Sequence, residues 1–120
     1  DSLNFDTREL TSSAGEFIVQ WGTGIFKMYA ANLDRTITPA GTTGAQTINK
    51  MAGTVNFAAG ASSLVVTNSL VIANSIVQCM IRTNDATATI KNVVCTVGSF
   101  TIRLNAAATA ETSVGFIVYN

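Results

Sequence analysis

Residues able to do acid–base, nucleophilic or ligand chemistry are few in this sequence: seven acids, seven Lys and Arg, two cysteines, one tryptophan, two tyrosines and no histidine. Without histidine, neither a Ser-His-Asp triad nor a Cys-His pair can be assembled. The acids are Asp1, Asp6, Glu9, Glu16, Asp34, Asp85 and Glu111. Four of them crowd the N-terminal segment and the rest are scattered, so no spacing sets two carboxylates across a cleft as glycoside hydrolysis requires. Cys79 and Cys95 stand sixteen positions apart, each in an apolar run. They read as buried free thiols acting as small hydrophobes, with one disulfide open to them if their strands pair. Two cysteines without histidine cannot build a four-ligand structural zinc site. Asn84-Asp85 carries calcium-type oxygens but reads as a turn. Gly41-Thr-Thr-Gly44 lacks both the Gly-Lys-Ser/Thr ending and the following helix of a phosphate loop. The chain therefore reads as a non-enzyme with no cofactor.

Sugar recognition is the site chemistry that remains, because aromatic faces with amide and carboxylate hydrogen bonds hold glycans without net charge. Trp21 and Tyr29, followed by Asn32 and Asp34, supply those groups, and Tyr119 with Asn120 is a second candidate pair. The competing role for Trp21 and Tyr29 is that of core or interface anchors.

The elements that must position these residues fit in 120 residues and 12.5 kDa, enough for one domain. Net charge is zero and charged residues make up 12%, about half the usual ~25%. Thr, Asn and Ser total 36 residues, so the polar surface is mostly hydroxyl and amide. A binder of nucleic acid by phosphate neutralisation is excluded, as is a charged disordered tail. No apolar run is long enough for membrane insertion as a helix. The start, Asp1-Ser-Leu-Asn-Phe5, lacks a Met and the blocks of a signal peptide, and reads as a cut fragment or processed product. No Asn-x-Ser/Thr sequon occurs, which counts against eukaryotic secretion.

Period-2 patterning predicts strands throughout and no amphipathic helix. A hairpin 16–21/25–31 across Gly22-Thr-Gly24 opens the chain, and Asp34–Thr38 is a weak strand halted by Pro39. A soft boundary in the loop 40–45 divides an N-terminal extension, 1–40, from a C-terminal β-sandwich, 41–120. The extension is too thin for a core of its own and reads as a stalk or inter-subunit segment. In the sandwich the expected inward residues are Val55 and Phe57; Val77, Cys79 and Ile81; Val93, Cys95 and Val97; Phe100, Ile102 and Leu104; and Val114, Phe116 and Val118. Lys91 shares its neighbours' parity, which predicts an open strand end or a bulge. The phrases Asn68-Ser-Leu-Val71 and Asn74-Ser-Ile-Val77 read as turn and strand rather than as β-helix rungs. Residues 105–112 read as a loop of small residues with room for one helical turn. Six or seven short strands at this spacing fit a sandwich or a barrel, and the fold expected is an all-β, antiparallel, jelly-roll-like β-sandwich. Uncharged strands such as Ser63–Thr67 and Val114–Asn120 need their edges covered, either by other parts of the chain or by neighbouring copies, and Ile76 and Ile117 point outward. A homo-oligomer is expected, in which cyclic symmetry would bury a shared apolar axis.

From Thr36 to Asn120 the chain resembles the C-terminal segment of tailed-phage fibre, tailspike and related virion proteins. The phrases that carry this are Thr47-Ile-Asn-Lys50, Gly53-Thr-Val-Asn-Phe-Ala-Ala-Gly60, Ser63-Leu-Val-Val-Thr-Asn-Ser-Leu-Val71, Thr83-Asn-Asp-Ala-Thr87, Gly98-Ser-Phe-Thr-Ile102 and Leu104-Asn-Ala-Ala-Ala-Thr-Ala-Glu-Thr112. Residues 1–35 carry no part of it. The resemblance implies a trimeric β-structured tip at the end of a longer polypeptide, made in the bacterial cytoplasm and exposed on a virion. Such domains trimerise the fibre, recognise host surface polysaccharide, or both. Two alternatives stand beside this reading: a purely structural trimerisation or decoration module without ligand, and a small glycan-processing enzyme.

Overall fold

In a computed structural model of the chain, residues 34–120 are described; the expected hairpin 16–21/25–31, with Trp21 and Tyr29, and Asn32 lie outside them. The described strands are β1 (Arg35–Ile37), β2 (Gln46–Thr47), β3 (Ala52–Phe57), β4 (Ser63–Thr67), β5 (Ile76–Ile81), β6 (Ile90–Thr96), β7 (Ser99–Leu104) and β8 (Thr112–Tyr119). No helix occurs among the described residues; 105–111 is bends and coil, and buries Ala108 in the core.

Alternation places the core as expected. Leu64 and Val66 of β4, Phe100, Ile102 and Leu104 of β7, and Val114, Phe116 and Val118 of β8 are buried, while the residues between them are open or half-open. The inward rows meet between two sheets of order β1-β3-β8-β5 (sheet I) and β2-β4-β7-β6 (sheet II). Phe116 of sheet I meets Phe100 of sheet II edge-on, ring centroids 5.0 Å apart at 64°. This is an all-β sandwich. The β5–β6 segment pairs with β8–β7, and β3–β4 lies along the other side of β8–β7, which is jelly-roll winding.

The sheets are mixed rather than purely antiparallel. β1 runs parallel to β3 and β2 parallel to β4. The chain passes from sheet I to sheet II between β1 and β2 and repeats that move between β3 and β4, so the added strands follow their neighbours in the same direction. The connection is held by side chains of β3. Thr54 Oγ1 accepts the Thr38 N–H at 3.0 Å, and Asn56 Nδ2 donates to the carbonyls of Pro39 and Thr42, both at 3.0 Å. These bonds let β3 be buried on both faces without an unsatisfied amide or hydroxyl. β1 pairs with β3 along Arg35–Ile37 and so forms the edge of sheet I.

Strand ends differ from the sequence expectation at β6. The strand is Ile90–Thr96 and stops short of Val97, with the register shift at Lys91 that its parity predicted. Val97, expected inward, is 81% exposed, because Val97-Gly98 is the turn into β7. Gly98 takes φ +82° there, a conformation that favours glycine.

Edge protection is largely internal. β1 and β2 are too short to template pairing, and β6 is bulged beside a lysine. β5 is longer, regular and uncharged. The Arg82 N–H donates to the Ser113 carbonyl, so in the β5–β8 register residues 77, 79 and 81 turn their N–H and C=O groups away from β8. That edge comes against β6, with Cα atoms of the two strands within 8 Å, and the Val77 N–H is directed at the Cys95 sulfur. The sandwich thus closes part of its own rim, and the uncharged strands β4 and β8 are interior, each paired on both sides by other parts of the chain.

Candidate interaction surface

The two sheets present unlike outer faces. On sheet II the outward rows are Thr67, Ser99 and Thr96; Val65, Thr101 and Val94; and Ser63, Arg103 and Asn92. Hydroxyls dominate, and Thr96 Oγ1 and Ser99 Oγ lie 2.9 Å apart across the hairpin. On sheet I the outward rows are Tyr119 and Ile76; Arg35, Ala52, Ile117 and Gln78; and Ile37, Thr54, Gly115 and Met80. Ile76 is 69% exposed, Met80 64%, Ile37 51% and Tyr119 49%. Arg82 lies over Gly115, where a Cβ would come within 3.2 Å of the arginine Cδ; its methylenes extend the apolar area beside Met80 while the guanidinium reaches Ser113 Oγ at 3.2 Å.

Ile76 and Met80 were legible as outward from alternation in β5, a strand apolar on both parities. Ile37 was not, because three residues give no period. Of the six sequence-predicted sugar-binding residues, Asp34, Tyr119 and Asn120 are described; Trp21, Tyr29 and Asn32 lie outside the described residues. Asp34 pairs with Lys50 at 3.1 Å, both partly in solvent, a pair that contributes little to stability. The Tyr119 ring stands open beside Ile76, its hydroxyl donating to Gln78 Oε1 at 3.5 Å. Asp34 and Tyr119 lie at the same end of sheet I with β3 between their strands, roughly 10 Å apart at ordinary strand spacing. Asn120, expected to partner Tyr119, instead donates to the Leu70 carbonyl at 2.9 Å and accepts from Ser75 Oγ. It ties the terminus to the loop before β5.

At the opposite end Asp85 shows why its turn reading was right. Oδ1 accepts the N–H groups of Thr87 (3.0 Å) and Ala88 (2.8 Å), and Oδ2 accepts the Thr109 N–H (2.8 Å), Thr109 Oγ1 (2.9 Å) and Thr112 Oγ1 (3.1 Å). The Ala88 N–H is the largest cause, followed by those of Thr87 and Thr109, holding this carboxyl well below the usual carboxylate range against a smaller opposing effect of desolvation. A carboxylate saturated with donors is neither a calcium ligand nor a general acid. Its half to Thr87 and Ala88 was readable as an Asx turn; its half to Thr109 and Thr112 was not. Glu111 Oε1 accepts the Gly41 N–H at 2.7 Å. No group of three or more metal-ligating side chains occurs among the described residues.

Asp85→Asn is expected to lower the thermal midpoint more than Asp34→Asn does, because the amide NH2 confronts donors on the 109–112 loop. The sign with pH follows from the lowered carboxyl. Its stabilisation is present above the unfolded-state value of 3.8 and is lost as pH falls below it. Thermal melts of wild type and variant at neutral and acidic pH should therefore converge in acid; parallel curves would contradict the clamp.

Compared with known proteins, the chain matches no family model, no curated protein and no solved structure.

Proposed function

We propose that this domain is a non-enzymatic, trimerising module of a phage tail fibre, tailspike or related virion protein, exposed on the particle, where it meets host surface polysaccharide. The observation that carries this reading is the contrast between outer faces: an apolar sheet I bearing Ile76, Met80, Ile37 and Tyr119, and a hydroxyl-rich sheet II. Apolar faces of this kind associate, and copies of one chain around a rotation axis close the association into a ring. Full burial of a side chain the size of Ile or Met stabilises by about 1.5–3 kcal/mol, so Ile76 and Met80 supply a driving force on the scale of association. The wording of residues 36–120 supports the virion context. Tyr119 supplies an aromatic ring, and Asp34 with Lys50 supplies polar groups, for sugar contact.

Sedimentation of the 120-residue chain at micromolar concentration is expected to give three times 12.5 kDa. The double variant Ile76→Asp, Met80→Asp is expected to sediment as a single chain with an unchanged circular dichroism spectrum. A wild-type monomer would overturn the proposal. Glycan arrays separate its two forms: binding to a bacterial polysaccharide that Tyr119→Ala removes supports recognition, and no binding leaves the structural or decoration module without ligand.

A further inference from the structure

We infer that Cys79 and Cys95 are a disulfide-forming pair that staples sheet I to sheet II along the β5/β6 side. This stands apart from the functional reading above. Cys79 faces inward from β5, the edge of sheet I, and Cys95 faces inward from β6, the edge of sheet II. Both are half-buried and pack against the same core cluster. The strands do not pair, so the sequence condition for a disulfide is not met in its original form. They face each other across the sandwich instead. Packed sheets normally stand ~10 Å apart, yet β5 and β6 bring Cα atoms within 8 Å, and a disulfide between them needs a Cα separation of roughly 4.4–6.8 Å. The Val77 N–H directed at the Cys95 sulfur sets that sulfur against β5, two residues from Cys79 on the same inward parity. The thiols also sense one another. Burial first, and then the neighbouring Cys95, push Cys79 up to about 12, and burial raises Cys95 as well. No other cysteine exists in the chain to compete.

A low-molecular-weight disulfide such as glutathione disulfide is a sufficient oxidant. The Cys95 thiol, the less buried of the two, gives its proton to solvent. Its thiolate attacks one sulfur of the glutathione disulfide, forming a protein–glutathione mixed disulfide and expelling one glutathione thiolate, which takes up a proton. Deprotonated Cys79 then attacks the Cys95 sulfur and expels the second glutathione. Two protein thiols are oxidised by two electrons, and one glutathione disulfide becomes two glutathione thiols. Raised thiol pKa values make the thiolates scarce and the exchange slow near neutrality. The pair therefore stays reduced in a reducing cytoplasm and closes in an oxidising medium.

The test uses the reduced 120-residue chain incubated with glutathione disulfide at about pH 8.5, near the ordinary cysteine pKa. Denaturing, non-reducing mass measurement is expected to give a single chain lighter by two hydrogens, with no titratable thiol. The urea midpoint should rise, with the folding equilibrium shifted roughly 100-fold for a loop of this length. Dithiothreitol should reverse the rise, and Cys79→Ser, Cys95→Ser should show none. Two thiols still titratable after equilibration, a persistent glutathione adduct, or disulfide-linked dimers would each overturn the inference. The wild-type mass reading decides even if the serine variant does not fold.

Discussion

Phe116→Ala is expected to lose about 3–5 kcal/mol of folding stability, close to the whole margin of a small domain at roughly 5–15 kcal/mol. Phe116 is buried in the middle of β8, the strand that joins β3 to β5. Its ring meets Phe100 edge-on at 5.0 Å across the sandwich. On its other side it covers Gly53, where a Cβ would stand 3.0 Å from the ring carbons and 2.9 Å from the Thr36 carbonyl oxygen of β1. Truncation removes the Phe100–Phe116 contact between the sheets and leaves a cavity that rigid strands on either side cannot close. Urea titration should show a lowered midpoint, or a chain already unfolded in buffer. Gly53→Ala tests the same packing from below. In wild type it is strained by both the ring and the carbonyl; beside Phe116→Ala only the carbonyl remains, so the two costs should add to less than their sum. A Phe116→Ala midpoint within error of wild type would mean that the two sheets do not meet as described.

Asn68→Asp is expected to cost about 3 kcal/mol or more at neutral pH, with a pH dependence that identifies the cause. Asn68 is fully buried. Its Nδ2 donates to the Lys50 carbonyl at 2.7 Å and its Oδ1 accepts the Leu70 N–H at 2.9 Å. Its backbone N–H donates to the Gly98 carbonyl at 2.9 Å. One side chain thus holds the turn before β3 to the loop after β4. Exchange of the NH2 for a carboxylate oxygen keeps the shape and removes the donor, leaving two oxygens in contact without water. The introduced carboxyl is then easier to protonate in the folded state than in the unfolded chain. Its folded pKa is raised, so the penalty grows as pH rises past about 4, the ordinary aspartate value, and shrinks below it. Thermal melts across pH 3–8 should show the variant approaching wild type in acid, opposite in sense to the wild-type loss expected from Asp85. A pH-independent deficit would assign the loss to shape rather than charge.

Much of this fold was readable from the chain itself. Inward rows in β4, β7 and β8 follow from alternation, since a one-residue slip would put Phe100, Ile102 and Phe116 into water. The Lys91 bulge followed from a charge at the wrong parity. Val97 was misplaced because parity continues through a turn on paper but not in space. β2 escaped notice because two residues show no period. The candidate site was less readable. Tyr119 and Asp34 share an end of sheet I, while Asn120 serves as a structural tie, because the Leu70 and Ser75 groups that engage it lie 50 and 45 positions away in the chain.

Local chemistry written along the chain decided the absence of histidine-dependent catalysis, the all-β class and the side on which each long strand carries its core residues, because these depend on residue type and on a repeat of two. Tertiary structure alone decided that β1 and β2 join in parallel, that Asp85 receives Thr109 and Thr112, that Cys79 and Cys95 pack against one core cluster, and that one outer face carries large open apolar side chains while the other is rich in hydroxyls. Each of those depends on which strands become neighbours, and that choice is made by long-range pairing, on which a period-2 pattern is silent.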